Sequence, residues 1–368
     1  MNNPFAPSTS RPGHGSIVLS LLPPSTPVLR TVTYQYPLKL IAPEPAAIAP
    51  NSPLADEPRT QHVVHTVFVL TYGGGLVAGD AVTLRVALAP TTRLCLLTQG
   101  STKIFKAPSP ERRFRCGQTT DVRVAPGAAL CFLPDPVQPF AESGFVQKQR
   151  YVVLQSPPSG EASEGGEGPG PGSLCVLDWV SEGRSARGEH WDCYEYTSRN
   201  EVWLAPHGTE LEPKDWDGAE TGRLLLRDNV ILNNESGDGA AAAGTIVGRM
   251  DELAAFGTLI LYGGLFDLLG KFFLDEFQAM PRIGAKKWHS ATADEHQELT
   301  PQEAWRSQRL RQEADDGVLW TAAAVRGAVL VKFGAKSVEG ARRWLGTMIK
   351  SEGTVEKHFG ERAVLCLK

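Results

Sequence analysis

Apolar positions along this chain fall mostly in short runs of strand length, such as Val63 to Leu70, Val82 to Leu88 and Val122 to Val124. One such stretch returns. Val86-Ala-Leu-Ala-Pro-Thr-Thr-Arg-Leu-Cys-Leu-Leu97 aligns with Val122-Arg-Val-Ala-Pro-Gly-Ala-Ala-Leu-Cys-Phe-Leu133 at an offset of 36 residues. A weaker third copy joins Tyr151-Val-Val-Leu-Gln-Ser-Pro157 across a low-complexity insert to Gly172-Ser-Leu-Cys-Val-Leu177. Each copy reads strand, proline turn, strand. One strand pair cannot bury its apolar face until the next unit covers it, so the repeat predicts a β-solenoid-like stack.

Toward the C-terminus the pattern changes. Gly257 to Tyr262 predicts a strand, Gly263-Gly264 a turn, and Leu265 to Met280 an amphipathic helix with Phe266, Leu269, Phe273 and Phe277 on one side. Val318 to Val325 and Val329 to Phe333 predict a hairpin about Arg326-Gly327. Ser337 is the expected N-cap of a helix from Val338 to Lys350, with Glu339 favourable in its first turn. The predicted class is mainly β, a solenoid-like stack of short strands carrying two or so C-terminal α-helices. A flexible tail is expected over 1–15 and a single β-rich domain over 16–368. Low-complexity insertions near 42–58, 156–172 and 233–244 are read as having no secondary structure.

Composition supports this picture and narrows function. An apolar fraction of 42 % provides a core, while 27 Pro and 37 Gly imply many turns and argue against a helix bundle. A net charge of −4 without a Lys/Arg stripe speaks against nucleic-acid and anionic-membrane partners. The N-terminal stretch lacks a basic region leading into an apolar one, and Thr258 to Leu274 is too broken by glycine and charge to span a bilayer. A cytoplasmic protein is expected. Six cysteines without a C-x-x-C pair fit reduced, buried thiols, and the recurring Leu94-Cys95, Leu130-Cys131 and Leu174-Cys175 read as packing in register rather than as a three-thiolate metal site. His62 and His65, three apart on one strand, should point to opposite faces.

Gly73 to Asp80 holds the most suggestive chemistry. Gly73-x-Gly75-x-x-Ala78 follows an apolar strand and approximates a dinucleotide fingerprint, but Ala81 to Leu88 has strand alternation where the fingerprint needs a helix. A phosphate loop fails as well, because Asp80-Ala81 follow Gly74-x-x-x-x-Gly79 where Lys and Ser or Thr are required. What remains is a glycine turn that presents an acid.

Gly74-Gly75-Leu76-Val77-Ala78-Gly79-Asp80 resembles the Gly-Gly-Leu-Val-Gly-Gly-Asp signature of the urease accessory protein family UreD, also called UreH. Thr98-Gln-Gly100-Ser101-Thr102-Lys103-Ile-Phe105 is similar to that family's Thr-x-x-Gly-Ala-Thr-Lys-Phe-Tyr, and Leu133-Pro134-Asp135 to its Leu-Pro-Gln-Glu. Trp179, Gly183-Arg184 and Gly188-Glu189 are similar to its Trp-Glu, Gly-Arg and Gly-Glu elements, and Leu330-Val-Lys-Phe-Gly334 to its ending. Ala78 replaces a glycine, Pro136 follows Asp135, and Val180 stands where many bacterial members carry Glu. The resemblance implies a mostly β, non-catalytic protein with no tightly bound cofactor. It also implies assembly with a UreF-type bridging subunit and a UreG-type nickel-carrying GTPase, docking on apo-urease, and nickel in transit through a water-filled route.

The repeat places Thr98-Gln99, Pro134-Asp135 and Asp178-Trp179 after equivalent strands. Asp80, Asp135, Asp178 and Glu182 are therefore candidate oxygen ligands along one channel, with Ser101 and Thr102 lining it. Any one of these acids reads equally well as a turn cap. Gly74, Gly75, Gly79, Gly100, Lys103, Gly183 and Arg184 are the candidate structural motif; Lys103, Arg184 and Arg187 either hold an anion, pair with nearby acids or anchor the bridging partner. The rival reading is a β-solenoid enzyme acting on a polysaccharide, using Asp135, Asp178 and Glu182 as acid and base.

Overall fold

Two-residue alternation carries the first two thirds of the chain into paired strands. The computed structural model describes residues 11–48, 62–108, 114–156, 169–212, 216, 222–234, 245–280 and 300–368. β1 (His14–Leu22) and β2 (Thr26–Tyr34) form a hairpin, and β3 (Leu38–Ile41) and β4 (Ala46–Ile48) lie antiparallel on β5 (His62–Thr71). There follow β6 (Gly75–Leu76), β7 (Ala81–Leu88), β8 (Arg93–Leu97), β9 (Thr102–Ile104), β10 (Cys116–Val124), β11 (Ala129–Phe132) and β12 (Val137–Pro139). Next come β13 (Gly144–Leu154), β14 (Ser173–Ser181), β15 (Glu195–Ala205), β16 (Arg223–Asn233), α1 (Ile246–Met250) and β17 (Ala255–Tyr262). The chain closes with α2 (Asp267–Gln278), α3 (Pro301–Asp315), the hairpin β18 (Leu319–Val325) and β19 (Ala328–Ala335), α4 (Val338–Glu352) and α5 (Thr354–Phe359).

Two open sheets result. The first runs β16-β15-β13-β10-β7-β1-β2, and the second β18-β19-β17-β14-β11-β8-β5-β3 with β4, β6, β9 and β12 attached. The repeat read from the sequence sets their centres. Val86 pairs with Val122 and Val122 with Tyr151 in parallel ladders of the first sheet, while Cys95, Cys131 and Cys175 stand side by side in the second. Antiparallel strands complete both ends of each sheet.

Alternation along β8, β11 and β14 makes three layers. Leu94, Leu96, Leu130, Phe132, Leu174 and Val176 pack toward the first sheet, against Val86, Val122 and Val202. Their neighbours Cys95, Leu97, Cys131, Leu133, Cys175 and Leu177 pack against Phe266, Leu269, Phe273, Trp344 and Met348 of the helical layer. Ser337 caps α4 as expected, its hydroxyl accepting the Gly340 N–H, and Gly353 ends it in the left-handed region.

Three expectations need correction. Within 42–58, residues 46–48 form β4, because their backbone completes the ladder on β5. The helical layer is also larger than foreseen, with α3 and α5 added to α2 and α4. The tail expected over 1–15 gives way to strand at His14. In the later insertions Gly170 receives a backbone hydrogen bond from Gly127, and Asn233 closes β16; residues 157–168 and 235–244 lie outside the described residues. Among the described residues no helix is long and apolar enough to cross a membrane.

Candidate functional site

Strands β10, β13 and β15 alternate apolar residues into the inter-sheet core, and all three break that pattern at the same level. Gln118 pairs with Gln147 and Gln147 with Ser198; one step along, Thr120, Gln149, Asn200 and Asp228 stand in register across four strands. The second sheet answers with Asp178, Thr258 and Lys332, also in register. A polar belt thus crosses the strands through an otherwise apolar core.

Asp178 is at its centre and almost fully buried. Gln147 Nε2 donates to its Oδ1 at 2.8 Å, and Ser198 Oγ and Asn200 Nδ2 donate to its Oδ2, each at 2.6 Å. All three partners are uncharged, and burial pushes the carboxyl upward from its ordinary range. Asn200 Oδ1, buried beside it, has no hydrogen-bond partner. Further along, Asp228 accepts from Lys332 Nζ at 2.6 Å and from Thr258 Oγ1 at 2.9 Å.

At its other end the belt opens into a cavity of about 30 Å³ lined by Thr98, Thr102, Gln118, Asp135, Gln147 and Asp178 among others. That volume suits about one or two waters. Asp135 is held on every side. Thr98 Oγ1 and the Gly100 N–H donate to its Oδ2 at 2.9 and 2.8 Å, and Arg342 Nη2 on α4 reaches its Oδ1 at 2.6 Å. Trp179 Nε1 donates to the Pro134 carbonyl and fixes the turn before it.

The structure therefore brings Asp135, Asp178 and Thr102 to one cavity. Other candidates lie elsewhere. Asp80 closes a tight turn, its Oδ2 accepting the Val77 N–H at 2.9 Å, and Gly79 shares that turn. Gly74 and Gly75 belong to the tight entry into β6, which runs beside Lys103 of β9. Ser101 precedes β9 outside the cavity lining. Glu182 accepts from His190 Nδ1 at 2.7 Å, which raises that imidazole. Arg184 pairs with Glu189, a bond that, with two backbone N–H donors, holds the Glu189 carboxyl down at about 2. Gly183 allows this approach, since a Cβ there would lie 3.0 Å from Glu189 Cβ. Asp178 faces the inter-sheet core while Glu182 pairs with a solvent-exposed imidazole, so the carboxylates of the polysaccharide-enzyme reading do not converge on one groove.

Gln118, Gln147, Gln149, Ser198, Asn200, Asp228, Thr258, Lys332 and Arg342 escaped the sequence reading. For all but Arg342, which lies on α4, the signal was a polar residue at the inward phase of an alternating strand, as in Cys116-x-Gln118-x-Thr120-x-Val122. The cysteines stand in register as foreseen, and they pack in the helix-side core. His65 is buried against the Pro27 carbonyl, and His62 lies on the opposite, outer side.

Known proteins are similar to this chain over most of its length. The UreD urease accessory protein family matches residues 13–365. An uncharacterized urease accessory protein ureD-like from Schizosaccharomyces pombe is 28% identical over 329 residues, 89% of this chain and 91% of that protein. Urease accessory protein 4 from Cryptococcus neoformans is 27% identical over 352 residues, covering 89% and 86%. A bacterial UreD from Anaeromyxobacter is 28% identical over 299 residues, covering 81% and 76%. The chain belongs to the UreD urease accessory protein family.

Proposed function

We propose that this chain is a cytoplasmic, non-catalytic scaffold of urease maturation that supports nickel incorporation into apo-urease. It stands between urease and two other accessory proteins, a UreF-type bridging subunit and a UreG-type nickel-carrying GTPase, and contributes a route for the metal.

The observation that carries this reading is the polar belt with its cavity. A sandwich that needed only stability would gain from apolar side chains at those levels, because a buried carboxyl without a counter-charge costs free energy. Asp135, Asp178, the threonine hydroxyls and the side-chain amides offer oxygen donors, which hold Ni²⁺ briefly where thiolates or imidazoles would retain it. Among the described residues no group of three or more His, Cys, Asp or Glu is arranged to hold a metal ion. Nickel is cargo in this reading, and the orphaned Asn200 Oδ1 is a further acceptor beside its path.

Asp178→Asn and Asp135→Asn, made in a urease-positive host whose own copy is deleted, test the route. Urease activation should fall to a small fraction of wild type in the double variant while the chain stays folded. Wild-type activation would sink the route. Co-purification with the bridging subunit and the GTPase tests the scaffold separately, and no association would refute it.

A further inference from the structure

The Asp135–Arg342 ion pair links the linings of two volumes. Inward lies the cavity lined by Thr98, Asp135 and Asp178; outward, an open groove of about 550 Å³ runs along α4 and the C-terminal turn, lined by Glu339, Arg342, Arg343, Lys350, Glu356 and Glu361 among others. Asp135 belongs to the first and Arg342 to the second, so their ion pair is a partition. The carboxylate side chain is 6% exposed and the guanidinium 26%, which puts the cation on the solvent side.

This contact is single. Only Nη2 reaches Asp135, and the buried Nε of Arg342 has no acceptor. Arg306, by contrast, grips Glu276 through both Nε and Nη2. Two-point grips are the strong ones, so Arg342 is held less firmly than Arg306. Asp135 is not. Its other oxygen stays fixed by Thr98 and Gly100 when the guanidinium leaves.

We propose that Arg342 is a displaceable plug, a resident cation that shuts the cavity by occupying Asp135 and gives way to a divalent cation arriving from the outer groove. Glu339, Glu356 and Glu361 offer carboxylates to the metal in that groove, beside the cationic Arg343, Lys350 and Lys368. The exchange swaps one cation for another at a fixed carboxylate and needs no bond chemistry. It rests on the nickel-route reading and names the gate of that route.

Equilibrium dialysis of the purified full-length chain against Ni²⁺ tests it. Removing a positive charge from contact with a carboxylate should raise cation affinity about tenfold or more in Arg342→Gln. Arg342→Lys, which keeps the charge, should stay near wild type, and adding Asp135→Asn to Arg342→Gln should abolish the gain. An unchanged affinity in folded Arg342→Gln overturns the plug, as does a gain that survives Asp135→Asn. Arg342→Met serves where Gln misfolds, and failure of both to fold makes Arg342 a structural strut, which also overturns it. The two proposals separate cleanly. Unaffected urease activation in Asp135→Asn/Asp178→Asn removes the route but leaves the dialysis result standing. Unchanged affinity in Arg342→Gln with activation still dependent on Asp178 removes the plug alone.

Discussion

Gly74 and Gly75 are adjacent and serve different needs. Gly74 has a φ of +74° and open space around its missing Cβ, so Gly74→Ala meets only the left-handed penalty, about 1–2 kcal/mol. Gly75 is extended, but a Cβ there would sit 2.3 Å from the Lys103 carbonyl oxygen and 2.7 Å from the Phe105 ring. Gly75→Ala must push β6 off β9, and about 3 kcal/mol is expected in urea unfolding, clearly more than for Gly74→Ala. Asp178 gives a second contrast. In Asp178→Asn the new amide finds an acceptor when Asn200 turns its unpartnered Oδ1 inward, so stability should change by less than about 1 kcal/mol. Asp178→Ala strands the donors of Ser198 and Asn200 and leaves Gln147 only its bond to Ser198, and should lose about 2–4 kcal/mol by the same measurement. At this scale the sequence was legible where a residue type is constrained by its own neighbours. The glycines and Asp135 stood out, whereas Gln147 or Asn200 looks like any polar residue until the register sets it beside Asp178.

Helix α3 shows what pattern reading misses. Its faces are mostly polar, with Trp305 against the helix-side core, so no apolar stripe announces it, although Thr300 and Glu303 form a capping box with Pro301 at the first position. What fastens it is charge. Arg309, itself buried, joins Glu276 of α2 at 3.3 Å and pairs with Glu313, whose Oε1 also accepts from Trp320 and Trp344 at 3.0 and 2.9 Å. Arg309→Met leaves the buried Glu313 without its cation, although Arg306 still holds Glu276, and should cost about 3–5 kcal/mol in denaturant unfolding. Helix α5 carries the pH dependence. His358 Nδ1 lies 3.2 Å from Arg93 Nη1, and burial together with the charges of Arg93, Lys357 and His62 lowers the imidazole to about 4. Unfolded chain therefore takes up the proton first. Stability is full above the ordinary histidine range and falls as pH drops from about 6.5 toward 4, by about 1–2 kcal/mol once screening of this half-buried group is allowed for. Melting temperature across that window should fall less steeply in His358→Gln than in wild type, and parallel curves would refute the assignment.

Over the whole molecule, the repeat was legible because stacking in register demands the same residue types at the same phase, which is why Cys95, Cys131 and Cys175 align in sequence and in space. The closing antiparallel strands and the helical layer carry no repeat, and only strong amphipathicity or a cap revealed parts of them. The second sheet is common to both cores, its two faces contributing alternate residues of the same strands. A layer cannot peel away without exposing the strands that hold the other, so the described layers should unfold as one unit. Six buried thiols report on this. Cys116 and Cys193 lie in the inter-sheet core, while Cys95, Cys131, Cys175 and Cys366 lie on the helix side. Burial pushes Cys116, Cys193 and Cys366 up to about 12, leaving almost no thiolate near neutral pH even where a reagent reached them. A thiol reagent at pH 8 should label no cysteine of the native chain. Along a urea series all six should become reactive in a single transition that coincides with loss of the β signal in circular dichroism. Labelling of the four helix-side thiols at lower urea than Cys116 and Cys193 would show instead that the helical layer detaches first, and the shared sheet would then not couple the two cores.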